Sequence, residues 1–186
     1  MKQALLILFV LALQSCERHE KPTLSHAMKE ELWWTYLADY DGRPGSTVVN
    51  MALKGSAPNA SMPTALVTGV SYESLDKNSG LPDAGELDLL NQLAEKRLPI
   101  IKTKSKCVVH VGTFTSDHKR YDYYYLAEPD GLEDALRQFY HAECPKREPY
   151  VNIKEDPQWD RYLSFLYPNS QTIQFYRSEL EKIGAL

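Results

Sequence analysis

Apolar residues follow three different rhythms along this chain. From Ala4 to Leu13 (ALLILFVLAL) they run without a break, a charge or a helix-breaking residue. From Glu17 to Glu31 (ERHEKPTLSHAMKEE) they thin out and lose any period. From residue 32 onward, alternating stretches give way to stretches with apolar positions three and four apart. Alternation suits a strand with one buried face, and the wider spacing suits an amphipathic helix. The third region therefore predicts a single folded α+β domain over residues 32–186, behind an apolar leader and a polar connector.

Within that domain, WWTYLADY (33–40) and STVVNMAL (46–53) flank the turn-rich DGRPG and predict a β-hairpin. Thr47, Val49, Met51 and Leu53 share one face of its second strand. After the loop KGSAPNASMP comes TALVTGVSY, apolar or small on both faces, as a central strand should be. GLPDAGELDLLNQLAEKRL predicts a helix, with Asp83 and Glu86 as N-cap and capping box. Leu87, Leu90, Ala94 and Leu98 fall on one face of it. KCVVHVGTF and RYDYYYLAE, joined through TSDHK, predict a second hairpin. Asp130 and Glu133 repeat the capping pattern ahead of Leu132, Ala135, Leu136, Phe139 and Tyr140. PYVNI reads as a last strand, and Asp156-Pro157 as the start of a helix carrying Trp159, Tyr162, Leu163 and Leu166. Ile173, Tyr176, Leu180 and Ile183 mark a final helix.

From Thr64 the order is strand, helix, strand, strand, helix, strand, which predicts a ferredoxin-like βαββαβ core. Helices are expected on one face of an antiparallel sheet, with the N-terminal hairpin extending an edge and the last helices appended. This topology also separates two cysteines. Cys107 starts a strand at one end of the sheet, and Cys144 follows a helix at the other, about 20 Å away. A disulfide needs Cα atoms within about 7 Å, so both are expected as free thiols.

The leader changes the picture of where the domain works. Ala4–Leu13 is half the length of about 20 residues that a membrane-spanning helix needs, and it lacks the polar face of a core helix. One Lys, a short apolar block and then small polar residues form the layout of a secretory signal peptide, residues 1–15. Leu13-Gln14-Ser15-Cys16 resembles the lipobox of bacterial lipoproteins. That resemblance implies cleavage before Cys16, a diacylglycerol on its thiol, and residues 16–31 as lipidated anchor and tether. The expected location is extracytoplasmic and membrane-anchored. The formal net charge is −4, and loss of Lys2 with the leader makes it one unit more negative. Nucleic-acid binders carry basic patches, so nucleic acid is not an expected partner.

Candidate chemistry is sparse. There is no HExxH, paired-cysteine, GxSxG or phosphate-cradling glycine motif, so no metal and no cofactor is expected. His110 lies mid-strand and Asp122 comes near it if the hairpin turns at Asp117-His118; a His–carboxylate pair is a general-base candidate. Glu155 is a further carboxylate for such a site. Tyr121, Tyr123 and Tyr125 share one strand face, with Asp122, Tyr124 and Leu126 on the other. An aromatic third strand is similar to the stacking platform of RNA recognition motifs, but the acidic, exported chain redirects that face toward a protein or envelope component.

Four ordered segments carry a wider resemblance: WWTYLADYDGRPG, SGLPDAGELDLLNQLAEKRL, HVGTFTSDHKRYDYYYL and EDPQWDRYLSFLYP. Together they resemble the landmarks of the bacterial family catalogued as domain of unknown function number 695, over about residues 32–168. The family implies no activity and no catalytic residues. Two expectations follow for function. One is a membrane-tethered, non-enzymatic binding module that uses Tyr121, Tyr123 and Tyr125. The other is a small extracytoplasmic hydrolase that uses His110 with Asp122.

Overall fold

The computed structural model describes residues 31–74 and 79–186; the leader, Cys16 and residues 17–30 lie outside the described residues. The class is α+β. The strands are β1 (Trp33–Tyr40), β2 (Arg43–Asn50), β3 (Thr64–Ser71), β4 (Cys107–Ser116), β5 (Lys119–Ala127) and β6 (Pro149–Glu155). The helices are α1 (Ala84–Lys104), α2 (Leu132–Glu143), a π-helix (Arg161–Leu166), α3 (Ser170–Phe175) and α4 (Arg177–Lys182). Every strand pairing is antiparallel, and the sheet order is β1-β2-β4-β5-β3-β6. The N-terminal hairpin therefore docks beside β4 and continues that edge.

Two tight turns set the register of the hairpins. Asp41-Gly42 and Asp117-His118 all have positive φ, the backbone that two-residue hairpin loops need to match strand twist. The first strand pair matches the alternation expected for it up to Asn50. There the chain leaves the sheet, because the Asn50 side chain accepts from the Ala52 amide and caps a 3-10 turn over Met51–Ser56. β3 is buried on both faces between β5 and β6, as its composition requires.

Both faces of the sheet are covered, whereas the sequence pattern predicts helices on one. On one side α1 and α2 pack Leu90, Ile101, Leu132, Leu136 and Tyr140 against Leu66, Val70, Tyr124 and Leu126. On the other, Trp159, Tyr162, Leu166 and Leu180 pack against Trp34, Tyr36, Val49, Val67, Val111, Tyr123 and Tyr125. The C-terminal segment is thus a third layer rather than an appendage. Its large rings bring more apolar area than the appended role would need, and burial of that area is what holds it down.

Three local expectations are corrected. In α1 the buried side chains are Leu90, Arg97 and Ile101, while Leu87 is exposed; the helix turns an arginine inward because a carboxylate waits for it. The helix α2 begins at Gly131, in the left-handed conformation with no side-chain cap, instead of at Asp130. Asp156 does hold amides of the next helix, those of Asp160 and Arg161, but the turns that follow are π-helical. Asp83 caps α1 as expected, accepting from the Glu86 amide at 3.0 Å. Cys107 and Cys144 are both free, the first exposed and the second buried. Among the described residues no helix is long and apolar enough to cross a membrane.

Candidate functional site

A one-residue irregularity in β4 assembles a polar cluster beneath α1. His110 pairs with Tyr124 and Gly112 with Tyr123, leaving Val111 as an extra residue. Strict alternation would put His110 and Thr113 on opposite faces; the bulge keeps both on the helix-covered face. Gly112 permits it, since a Cβ there would sit 2.6 Å from the Val48 carbonyl oxygen. Thr113 lies directly across from Asp122 and donates from Oγ1 to Oδ1 at 2.5 Å. Arg97 reaches down from α1 and donates from a terminal nitrogen to Asp122 Oδ2 at 2.5 Å, with both side chains only 3% exposed. Its other terminal nitrogen donates to the Tyr140 hydroxyl, which in turn is 2.8 Å from Thr68 Oγ1. Arg120 adds a second guanidinium 3.6 Å from Asp122 Oδ1.

His110 sits at the margin of this cluster, about a third exposed, with its ring between Trp33 and Tyr124. Its Nε2 lies 3.0 Å from the Gly112 carbonyl oxygen and 3.9 Å from Asp122 Oδ1. A carbonyl only accepts, so Nε2 carries the proton and Nδ1 the lone pair of the neutral ring. Burial pushes the imidazole below its ordinary pKa, outweighing the pull of Asp122. Burial also works against ionisation of Asp122, yet Arg97 and Arg120 hold its carboxyl well below the usual carboxylate range. Asp122 is thus a fixed anion with both oxygens engaged, and His110 a neutral ring hydrogen-bonded to backbone. Glu155 is not part of this group: it pairs with Thr64 on β6, three strand spacings or about 14 Å from β4. Among the described residues no three His, Cys, Asp or Glu side chains are grouped as a metal site.

The opposite face of β5 meets a different environment. Tyr125 is fully buried, stacked on Trp159 with centroids 4.1 Å apart and rings 9° from parallel. Its hydroxyl donates to Asp156 Oδ2 at 2.6 Å, which fixes the carboxylate that holds the first π-helical amides. Tyr121 and Tyr123 lie further along the strand, beyond the cover that Trp159 gives. With Val67, Tyr150, Arg161 and Phe165 they line an open groove of about 290 Å³. Tyr121 and Tyr150 form one wall, with centroids 5.0 Å apart, and Tyr123 and Phe165 lie 5.8 Å apart across the floor.

The π-helix places the outer wall. Its wide turn is closed by the Tyr167 amide bonding the Tyr162 carbonyl, five residues back. Tyr162 and Leu166 are thereby buried while Phe165 stays 39% exposed at the groove. The Tyr162 hydroxyl donates to the Asn50 carbonyl, and the Tyr36 hydroxyl donates to the Leu166 carbonyl, so the helix is bonded to the sheet at both ends. Trp159, just before it, has φ 56°, an uncommon backbone for so bulky a residue. Such π turns recur at functional sites because they re-aim side chains.

The model of the family of unknown function DUF695 matches residues 31–167. The chain belongs to that family. The DUF695 match takes in the whole sheet, α1, α2 and the π-helix, and so contains both the polar cluster and the groove. No curated protein and no solved structure matches the chain.

Sequence reasoning places Asp122 near His110, and Tyr121, Tyr123 and Tyr125 on a common binding face; the structure removes Tyr125 from that face's open part, because Trp159 stacks on it and buries it fully. Sequence reasoning missed Arg97, Thr113, Tyr150, Arg161 and Phe165. A buried arginine gave one signal, an α1 with weak segregation of apolar residues; Gly112 inside a strand was the signal for the bulge.

Proposed function

We propose that this DUF695 protein is a membrane-tethered, extracytoplasmic binding module that takes its ligand in the Tyr121–Tyr123–Tyr150–Phe165 groove. The observation carrying this reading is a contrast between the two sites. In the polar cluster the hydrogen-bonded His–carboxylate pair that general-base chemistry would use is not formed: Asp122 is committed to Arg97 and Thr113, and His110 Nε2 donates to a backbone carbonyl and lies 3.9 Å from Asp122 Oδ1. In the groove, Tyr150 and Phe165 are exposed, Tyr121 is half-buried and the buried Tyr123 forms the floor, and no hydrogen bond among the described residues engages the hydroxyls of Tyr121, Tyr123 or Tyr150. Concave, aromatic sites with a few placed polar groups are the common form of ligand pocket. The fold reading that accompanies this is a ferredoxin-like core, supported by β3 and β4 running parallel with β5 between them and β6 outside.

The tether rests on the Leu13-Gln14-Ser15-Cys16 pattern. Intact-mass analysis of protein extracted from membranes is expected to show a chain beginning at Cys16 with an acyl adduct. Retention of Met1 without acylation refutes the tether and the location together.

For the groove, a photo-crosslinking side chain at Tyr150 or at Leu87, on the opposite layer, separates the alternatives in intact cells. The expected result is a discrete adduct from Tyr150 and none from Leu87. Equal labelling from both, or none from either, contradicts the assignment.

A further inference from the structure

The groove's own chemistry narrows the ligand. We propose that it binds a sugar ring bearing a carboxylate, an inference that rests on the groove being the ligand site. Four features point there.

The groove lies on the face of the sheet over β3 and β5, whose backbone groups are spent on neighbouring strands. It therefore offers a ligand no edge to pair with, and recognition must pass through side chains. This disfavours an extended peptide, which draws affinity from main-chain bonds to a free sheet edge. The nearest free edge, β6, also begins with Pro149, which has no amide hydrogen to give.

The side chains available are aromatic faces and phenols. The rings of Tyr121, Tyr123, Tyr150 and Phe165 present apolar surface suited to the C–H face of a pyranose. The three hydroxyls both donate and accept, and within the described protein none is engaged. A ligand rich in hydroxyls satisfies such groups; an alkyl or purely aromatic ligand would cover them and leave them unpaired, at a cost.

The groove also carries a charge of known sign. Arg161 lines it, about a third exposed, and among the described residues its guanidinium makes one long contact, 3.4 Å from one terminal nitrogen to Asp156 Oδ2. That carboxylate is already held by the Tyr125 hydroxyl and the Asp160 and Arg161 amides. The rest of the guanidinium fork has donors to spare for a carboxylate, the anion its planar geometry fits best. A cationic ligand is disfavoured by the same group, although the aromatic wall alone would have suited one.

Size is the last feature. A volume of about 290 Å³ is at the small end of ligand pockets. It takes one ring with its neighbours running out over the rim, not a nucleotide cofactor.

Saturation-transfer NMR on the full chain, extracted in detergent, tests this with three probes. These are trigalacturonate, the same trisaccharide with its carboxylates reduced to alcohols, and Ala-Ala-Ala with a free C-terminus. The expected result is binding of trigalacturonate at least tenfold tighter than of the neutral form, and no binding of the peptide. Arg161→Gln is expected to bring the acidic sugar down to the neutral level. Tyr150→Phe, which removes one hydroxyl from an exposed ring, is expected to weaken both sugars about threefold. Equal affinity for the acidic and neutral sugars overturns the role of the carboxylate. Binding of the peptide alone, weakened by Arg161→Gln, overturns the ligand class while leaving the groove as the site. Sugar binding that neither variant alters, or no binding of any probe, overturns the site as well.

Discussion

Asp122 is one carboxylate shared among Arg97, Arg120 and Thr113 in a place almost closed to solvent. Removing one partner of a buried pair leaves an uncompensated charge, so Asp122→Ala is expected to cost about 3–5 kcal/mol in urea unfolding. Replacing both partners, Arg97→Met with Asp122→Val, is expected to cost less than the sum of the two single changes. Additive losses would show that the pair is not coupled. The same residues set a pH dependence. Asp122 has its pKa lowered by folding, so its contribution is complete above the unfolded value of about 3.9 and is lost as pH falls through the folded one. His110 is also lowered, so its neutral form favours the fold above about 6.5, and that part is lost on acidification. Stability is therefore expected to fall monotonically from pH 7 to pH 3, with His110→Gln removing the upper part of the decline. A maximum near pH 5 would contradict the sign for His110, and stability that rises from pH 4 to pH 3 would contradict the sign for Asp122. The Asp122–His110 proximity was legible in the sequence because one hairpin turn fixes it. Arg97 was not, since it is 25 residues away from Asp122 in sequence, and nothing local says which face of α1 turns inward.

At the scale of elements, the β4 bulge and the π-helix are irregular features that each position one of the two sites. Gly112 is the position where the bulge tolerates no side chain, with the Val48 carbonyl oxygen and Leu166 both close to any added Cβ. Gly112→Val is expected to destabilise the domain by about 1–3 kcal/mol, as overpacking does, measured as a lowered urea midpoint. An unchanged midpoint would mean that the strand relaxes freely there. Regular elements were readable from period and turn chemistry: β1 and its turn, the N-cap of α1, and β6 follow directly from WWTYLADYDG, PDAGE and PYVNI, although the Glu86 carboxylate bonds Arg147 and does not close a capping box. The irregular ones were not. A period-two reading carries no term for an extra residue, and Trp159, Tyr162 and Leu166 suit a helix of either pitch. What decides for the wider pitch is the fit of those rings against Tyr125, Asn50 and Tyr36, which only the assembled sheet supplies.

For the whole molecule, the layering decides which surfaces remain for function. The α1–α2 layer covers one face of the sheet and the C-terminal layer most of the other, and the groove is where that second layer stops short of β6. The α+β class was legible because it needs only the order of elements; three layers were not, because period alone does not say where an appended helix packs. The proposed tether and the proposed ligand groove together describe a module held at a membrane and binding through one aromatic recess, with the polar cluster as architecture beneath the opposite layer. The direct comparison is photo-crosslinking from Tyr150 in intact cells, repeated with Arg161→Gln and with His110→Gln. The account predicts that the adduct is lost or strongly reduced with Arg161→Gln and retained at full yield with His110→Gln. Loss with His110→Gln and retention with Arg161→Gln would move function to the polar cluster and contradict it.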